Sequence, residues 1–417
     1  MAQLYVEGNR PLCGSVKIHG AKNSALPILA AAFICDGETV LHNCPALSDV
    51  DAALEILRVL GCKTQRNGGD VIINSSGAAN NSIPSELMHK MRSSVIFLGA
   101  ILAKCKAASI YMPGGCELGP RPIDIHLKSL RFLGAKIDDC GGKIDCECRE
   151  LCGCELDLPF PSVGATENII LAAVTASGQT VIHNAACEPE IADLCEYLNK
   201  CGARINGAGG SVITIDGVLR LHGCEHTIIP DRIEAATYMA ATAITGGEVT
   251  LQSIIPEHIQ PVLFAFREAG CTFDFGADSM TVYSPKQLNC VKTVRTLVYP
   301  GFPTDALSPF MAMMTVANGT SMFIETIFQN RYKQVGALCS MGANIKTEGR
   351  VAIVEGVSSL YSSCVTATDL RGGASLIVAA LKADGVTKID GVCHIDRGYE
   401  DIENSLNRLG ARVIRKE

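Results

Sequence analysis

The chain has no tryptophan, and only 5% of its residues are aromatic. A core of stacked rings is therefore ruled out, and packing falls to Ala, Ile, Leu and Gly, whose small side chains suit closely apposed helices and sheets. Charge is sparse too: 19% of residues are charged, the net charge is −7, and no basic run occurs. Without a basic face, nucleic acid is not an expected partner. Long apolar runs are also missing. The longest span residues 24–35 and 95–103, well short of the ~20 residues that cross a bilayer. Residues 1–10 are polar and mixed and do not read as a signal peptide. These absences predict a soluble, cytoplasmic protein with no membrane partner and no obligate protein partner. The 417 residues allow two or three domains with large cores.

What is abundant is cysteine, with 20 in all. Disulfide scaffolds are short, secreted and poor in core, and this chain is none of these. Most of the cysteines, such as Cys35, Cys62, Cys201, Cys271 and Cys393, hold Ala-like or Val-like positions and read as small hydrophobes. A denser group comprises Cys140, Cys146, Cys148, Cys152 and Cys154. Cys146/Cys148 and Cys152/Cys154 would each share one face of a strand, so a hairpin could gather four thiolates. The spacing matches no standard zinc pattern, and the expectation is strand packing without metal. Cys116 stands apart, in PGGCELGPRP (residues 113–122). Three Gly and three Pro in ten residues exclude helix and central strand. Arg121, Asp124 and His126 follow. Two readings stand: a loop thiol activated by nearby positive charge, and a Gly/Pro turn that contains Cys.

A short phrase recurs along the chain: LGCK, LGAK, CGAR, AGCT, MGAN and LGAR, with glycines at Gly61, Gly134, Gly202, Gly270, Gly342 and Gly410. The separations are 73, 68, 68, 72 and 68 residues, which describes six repeats of about 70 residues. Each phrase ends an amphipathic helix with apolar residues at i, i+3, i+4 and i+7, and the Gly is its left-handed cap. Alternating strands follow. A second helix in each unit is apolar on nearly all sides and should be buried: SALPILAAAF, SSVIFLGAILA, ENIILAAVTA, RIEAATYMAATAI, DALSPFMAMMTVA and ASLIVAALKA. Another strand comes after it. The sixth unit has only 50 residues, but the 21 residues before Lys22 read as its missing strands. The resulting expectation is an α/β protein of two domains, three repeats each, spanning residues 22–229 and residues 1–21 plus 230–417.

Cations recur where a scaffold repeat needs none. Lys22 and Asn23 precede a buried helix, Arg92 opens another, and Arg121, Arg331, Arg371 and Arg397 sit in further joints. Helix starts already favour anions, and a guanidinium there grips carboxylate or phosphate in bidentate fashion. Singly each reads as a surface ion pair. Together they suggest one cleft between two domains for a heavily anionic ligand. Asp305, in FPTDALSP, also stands at the mouth of a buried helix, either as a cap or as a general base for a substrate hydroxyl. Asp231, Arg232 and Glu234 in PDRIEA, and Asp369 in TDLRGG, hold equivalent places, as partners of the arginines or as caps.

The stretches GAKNSALP, PGGCELGPRPIDIHL, SVGATENI, IIPDRIEA, FPTDALSPFMA, ETIFQNRY, TDLRGGASL and HIDRGYEDIE run the length of the chain. Together they resemble the UDP-N-acetylglucosamine enolpyruvyl transferases. The resemblance implies the inside-out α/β barrel fold of enolpyruvyl transferases, two domains with the active site in the cleft between them. It implies transfer of the enolpyruvyl group of phosphoenolpyruvate to the 3′-hydroxyl of UDP-N-acetylglucosamine, with loss of phosphate and no metal or cofactor. By that resemblance Lys22, Asn23, Arg121, Arg371 and Arg397 would meet phosphoenolpyruvate. Asn23, Arg92, Arg121, Pro122, Ile123, Asp124, Ile125, Ser162, Val163, Asp305 and Ile327 would line the nucleotide-sugar site. Asp305 would be the base at the 3′-hydroxyl and Cys116 a proton donor on a closing loop, open to alkylation by the family's epoxide inhibitor, fosfomycin. Asp231, Arg232, Arg331 and Asp369 would support the site. Two departures stand out: Phe160 where members often carry Lys, and Gln329 where an acidic residue is common.

Overall fold

The computed structural model describes residues 2–112 and 123–417. Cys116, Arg121 and Pro122 thus lie outside the described residues. Two compact units emerge: one takes the described residues of 20–229, the other those of 1–19 and 230–417.

In the first unit, three helices are buried along nearly their whole length: Lys22–Ile34, Phe97–Cys105 and Val163–Ala173. They pack on one another and form the centre of one hydrophobic core. In the second unit Arg232–Thr245, Thr304–Met314 and Leu370–Ala380 do the same. Small side chains make this possible. A Cβ on Gly99 would stand 2.3 Å from the Asn168 carbonyl oxygen of the neighbouring helix, so only glycine lets those two backbones meet. The amphipathic helices, such as Ser48–Val59 and Pro189–Lys200, bury one face each. All six phrase glycines follow a helix with φ between 93° and 102°, the left-handed stop expected of them.

Each repeat contributes a sheet. The strand after the buried helix pairs antiparallel with the second strand of the following hairpin, as Glu38–His42 does with Asp70–Asn74 and then Lys63–Asn67. On its other side a short parallel strand joins, and this strand belongs to another repeat. Glu225–Thr227, at the end of the third repeat, joins Glu38–His42 of the first. Glu155–Asp157 of the second joins Gln179–His183 of the third, and Ser82 of the first bridges Ser109 of the second. The three repeats therefore exchange strands in a closed ring. The second unit repeats this scheme: Thr293–Arg295 joins Thr320–Ile324, Cys364–Thr366 joins Val386–Asp390, and Cys13–Lys17 joins Glu248–Gln252. The strand Gln3–Glu7 lies between Val386–Asp390 and Arg412–Lys416, antiparallel to both. His19 fastens this segment further, its Nδ1 2.9 Å from Glu234 Oε1 and its backbone N–H donating to Oε2.

The sequence reading missed the short parallel strands, because three residues with one buried centre, such as Leu156 or Val365, carry no visible alternation. Strand exchange also divides the cysteine cluster. Cys146 lies on Lys143–Glu147, which pairs with Ala107–Tyr111, whereas the chain after Cys154 enters the next sheet through Glu155–Asp157. A hairpin gathering four thiolates, the alternative to plain strand packing, does not form, since strand exchange sends its second arm elsewhere. Burial pushes the Cys146 thiol up to about 12. Among the described residues no three His, Cys, Asp or Glu side chains gather as metal ligands, and no helix is long and apolar enough to cross a membrane.

Leu4 is fully buried on the strand that completes the last sheet. Leu4→Ala should cost about 3 kcal/mol of stability, seen as a lower urea midpoint. An unchanged midpoint would mean that this strand is not part of the cooperative core.

Candidate active site

Many of the described candidate residues, Lys22, Asn23, Ser162, Val163, Asp231, Arg232, Asp305, Asp369 and Arg371, stand at the starts of the buried helices. This follows from the helices themselves: sides that pack on every neighbour leave only the ends to carry charge.

In the unit of residues 20–229, Lys22 opens the helix Lys22–Ile34, and Asn23 follows, half-buried. Lys22 is only 9% exposed, and its Nζ donates to Asp49 Oδ2 at 3.1 Å. Asp49 escaped the sequence reading, since an acid in the first turn of an amphipathic helix looks like a helix-dipole residue. Arg92 begins a 3-10 segment, Arg92–Ile96, that runs into the helix Phe97–Cys105; the sequence had suggested one continuous helix. Ile123 is buried, Asp124 and Ile125 start the helix Asp124–Phe132, and Asp124 is exposed. Ser162 caps the helix Val163–Ala173, its Oγ accepting from Ala165 N–H at 3.4 Å. Phe160 is exposed.

His126 ties three of these segments together. Its ring is buried and stands against Gly164, the Cε1 atom 3.0 Å from where a Cβ would be. Burial first, and then the Arg92 charge, lower its pKa to about 4, with Asp124 acting the other way. It is neutral at physiological pH.

In the unit of residues 230–417, Asp305 is the second residue of the helix Thr304–Met314 and makes no cap. Instead it receives two guanidinium groups: Arg331 Nη2 at 2.5 Å and Arg371 Nη2 at 3.4 Å. Both arginines are buried, while the carboxylate side chain is 28% exposed. Arg331 is fixed further by the Thr304 carbonyl, which accepts from Nε at 3.1 Å and Nη2 at 2.8 Å. Arg371 lies over the Tyr399 ring at 5.4 Å, and the Tyr399 hydroxyl meets Thr237 Oγ1 at 2.8 Å. Asp231 and Asp369 resolve as caps. Asp231 Oδ1 accepts from Ile233 and Glu234 N–H, and Asp369 Oδ1 from Arg371 and Gly372 N–H. Arg232 lies 5.4 Å from the Tyr299 ring centre. Ile327 donates its N–H to Glu325 Oε1, and Glu325 Oε2 accepts from Thr304 Oγ1. Buried Glu325 thus links the Ile327 turn to the start of the Asp305 helix, a link with no local sequence signal. Arg397 is half-buried in the turn after Val392–Ile395, and Gln329 is exposed.

The profile of the family described as EPSP synthase (3-phosphoshikimate 1-carboxyvinyltransferase) matches residues 6–406. The UDP-N-acetylglucosamine 1-carboxyvinyltransferase 2 of Caldanaerobacter subterraneus subsp. tengcongensis is 48% identical over 415 residues, covering 100% of both chains. The UDP-N-acetylglucosamine 1-carboxyvinyltransferase 1 of Symbiobacterium thermophilum is 50% identical over 416 residues, covering 98% of this chain and 94% of its own. The chain belongs to the enolpyruvyl transferase family. Its fold agrees: the crystal structure of the enolpyruvyl transferase NikO from Streptomyces tendae superposes with a TM-score of 0.90, over 100% of this chain and 99% of that one, at 23% identity. The inside-out α/β fold expected from the sequence is that of this enolpyruvyl transferase.

The neutral state of His126 has a thermodynamic consequence. Its pKa is about 4 when folded and about 6.5 when unfolded, so the unfolded chain binds the extra proton between these values. Stability must then fall as pH drops from 6.5 towards 4. His126→Gln should remove up to ~3 kcal/mol of that pH-dependent loss, read as the difference between urea unfolding at pH 7 and pH 4.5 in the two proteins. Equal losses in both would contradict a neutral, buried imidazole.

Proposed function

We propose that this chain transfers the enolpyruvyl group of phosphoenolpyruvate to the 3′-hydroxyl of UDP-N-acetylglucosamine and releases phosphate, the first committed step of peptidoglycan synthesis. The observation that carries this reading is full-length identity of 46–50% to proteins named UDP-N-acetylglucosamine 1-carboxyvinyltransferase. Lys22, Cys116, Asp305 and Arg397 are all present in the chain.

The two substrates bring several negative charges together, which requires clustered cations. Lys22, Arg121, Arg371 and Arg397 take the phosphate and carboxylate of phosphoenolpyruvate. Arg92, Ser162 and Val163 take the diphosphate, with Asn23, Pro122, Ile123, Asp124, Ile125 and Ile327 completing the nucleotide-sugar site. The hydroxyl adds to C2 as Asp305 accepts its proton, and Cys116 delivers a proton to C3. The tetrahedral ketal then loses phosphate and a C3 proton, restoring the enol ether. Both carboxylate oxygens of Asp305 are engaged by guanidinium groups, so one must be released before it can accept a proton. A donor substrate that draws Arg371 onto its own anion frees Asp305 Oδ2 for the hydroxyl proton as the reaction begins. Burial of Arg331 and Arg371 supports this, because each forms its bonds at low local dielectric.

Phosphate release should require both phosphoenolpyruvate and UDP-N-acetylglucosamine. Release with shikimate 3-phosphate instead would assign the chain the 3-phosphoshikimate activity, and release with neither would leave a binding protein. Asp305→Asn should lower kcat by a factor on the order of 10²–10⁴ in the same assay, whereas full activity would remove Asp305 as the base. Cys116→Asp should retain turnover where Cys116→Ala does not, and mass spectrometry should find fosfomycin on Cys116. A label elsewhere would sink that thiol's role.

A further inference from the structure

Asn168 is fully buried in the middle of the helix Val163–Ala173, and all its side-chain polar atoms are spent on a neighbouring junction. Its Nδ2 donates to the Val95 carbonyl at 3.0 Å, and its Oδ1 accepts from the Gly99 N–H at 2.7 Å. Val95 and Gly99 are four residues apart, so an α-helical bond would join these same two backbone groups. Here each meets a different atom of the Asn168 amide. The site is the joint where the 3-10 segment Arg92–Ile96 becomes the α-helix Phe97–Cys105. A side chain inserted into the helical ladder is a known cause of bends, and a 3-10 stretch marks a place where helical geometry changes. Gly99 permits the insertion, since a Cβ there would lie 2.7 Å from Asn168 Oδ1.

The second Nδ2 hydrogen points to His126 Nδ1 at 2.8 Å. The Val95 and Gly99 bonds fix which end of the amide is nitrogen, so His126 Nδ1 must accept. In the neutral ring the proton then sits on Nε2. That Nε2 is 3.3 Å from the Cβ position of Gly164, in the first turn of the helix that Ser162 caps.

We propose that Asn168 is a positioning residue for the nucleotide sugar. It sets the turn that presents Arg92, and it holds His126 with its Nε2–H towards the Ser162–Val163 turn. This rests on the proposed function, because those segments are the ones assigned to UDP-N-acetylglucosamine. One amide thereby registers three helix starts against a single ligand, and none of its atoms needs to touch that ligand.

Two measurements test this. In the native enzyme labelled with ¹⁵N-histidine, His126 should show an unprotonated Nδ1 and a protonated Nε2 at neutral pH. Its Nε2 signal should move when UDP-N-acetylglucosamine is added and stay put with phosphoenolpyruvate alone; no movement with the nucleotide sugar overturns the inference. In Asn168→Asp, a carboxylate oxygen replaces the donor and faces both the Val95 carbonyl and His126. KM for UDP-N-acetylglucosamine should rise about tenfold, while kcat and KM for phosphoenolpyruvate change far less. The new carboxylate favours the imidazolium against Arg92, with Asp124 acting in the same sense, so the pH profile of this KM should shift relative to that of the native enzyme. Parallel changes in both KM values, or a fall in kcat alone, overturn the positioning role. Should the variant fail to fold, the ¹⁵N measurement on the native enzyme decides. Absence of native turnover with UDP-N-acetylglucosamine overturns the substrate reading and this inference together. Native turnover without the KM split or the ¹⁵N response overturns this inference alone.

Discussion

A helix that is apolar on every side can bury itself completely, but then it has only its ends to offer. Six such helices, three in each unit, impose that constraint on the whole chain. Charge is excluded from their flanks by the cost of unpaired burial, so Lys22, Asp305 and Arg371 all appear in first turns, where backbone N–H groups face outward. The sparse charge of the sequence is thus concentrated rather than merely low. Strand exchange serves the same end. By lending a strand to its neighbour, each repeat fixes where the next helix begins, and the ring of three leaves no repeat able to shift alone.

Because these first turns are half-buried, each charged group there needs a partner before any substrate arrives. Lys22 has Asp49, Arg331 has Asp305 and the Thr304 carbonyl, and Arg371 has Asp305 and the Tyr399 ring. Removing one member of such a set leaves the other uncompensated, which is costlier than the pair was favourable. The pairings therefore hold the cations ready without locking them: an incoming phosphate or carboxylate offers a guanidinium a bidentate partner at least as good as a single aspartate.

The repeat, its glycine stops and the buried helices were legible because each depends on local periodicity. The spacing of Gly61 to Gly410 is a count, and an all-apolar helix such as 370–380 announces its burial. The cations at the joints were legible for the opposite reason, as residues the scaffold did not need. What escaped notice was long-range. Glu155–Asp157 has too few residues to show alternation, and its pairing with Gln179–His183 is settled across repeats. The same crossing separates Cys146 from the strand that follows Cys154. Asp49, Glu325 and Tyr399 reach their arginine, lysine or backbone partners from separate elements, and no spacing rule connects them. Asn168 lay in plain sight within SVGATENI, yet a polar residue in an apolar helix reads as a tolerated exception until its three partners are seen.

Fold and chemistry are therefore written in different parts of this chain. The enolpyruvyl transferase of Streptomyces tendae keeps the backbone to a TM-score of 0.90 with only 23% identity, because any small apolar residues of the right volume can fill helices packed this way. The first turns have no such latitude. At Gly99, in the first turn of its helix, the neighbouring backbone forbids a single methyl group, and the Asn168 amide that reaches this turn from the next helix has no apolar substitute, since none can satisfy Val95, Gly99 and His126 at once. Divergence within this fold should accordingly run fast along the helix bodies and slowly at their starts, and the identity of the acceptor substrate should change only when several starts change together.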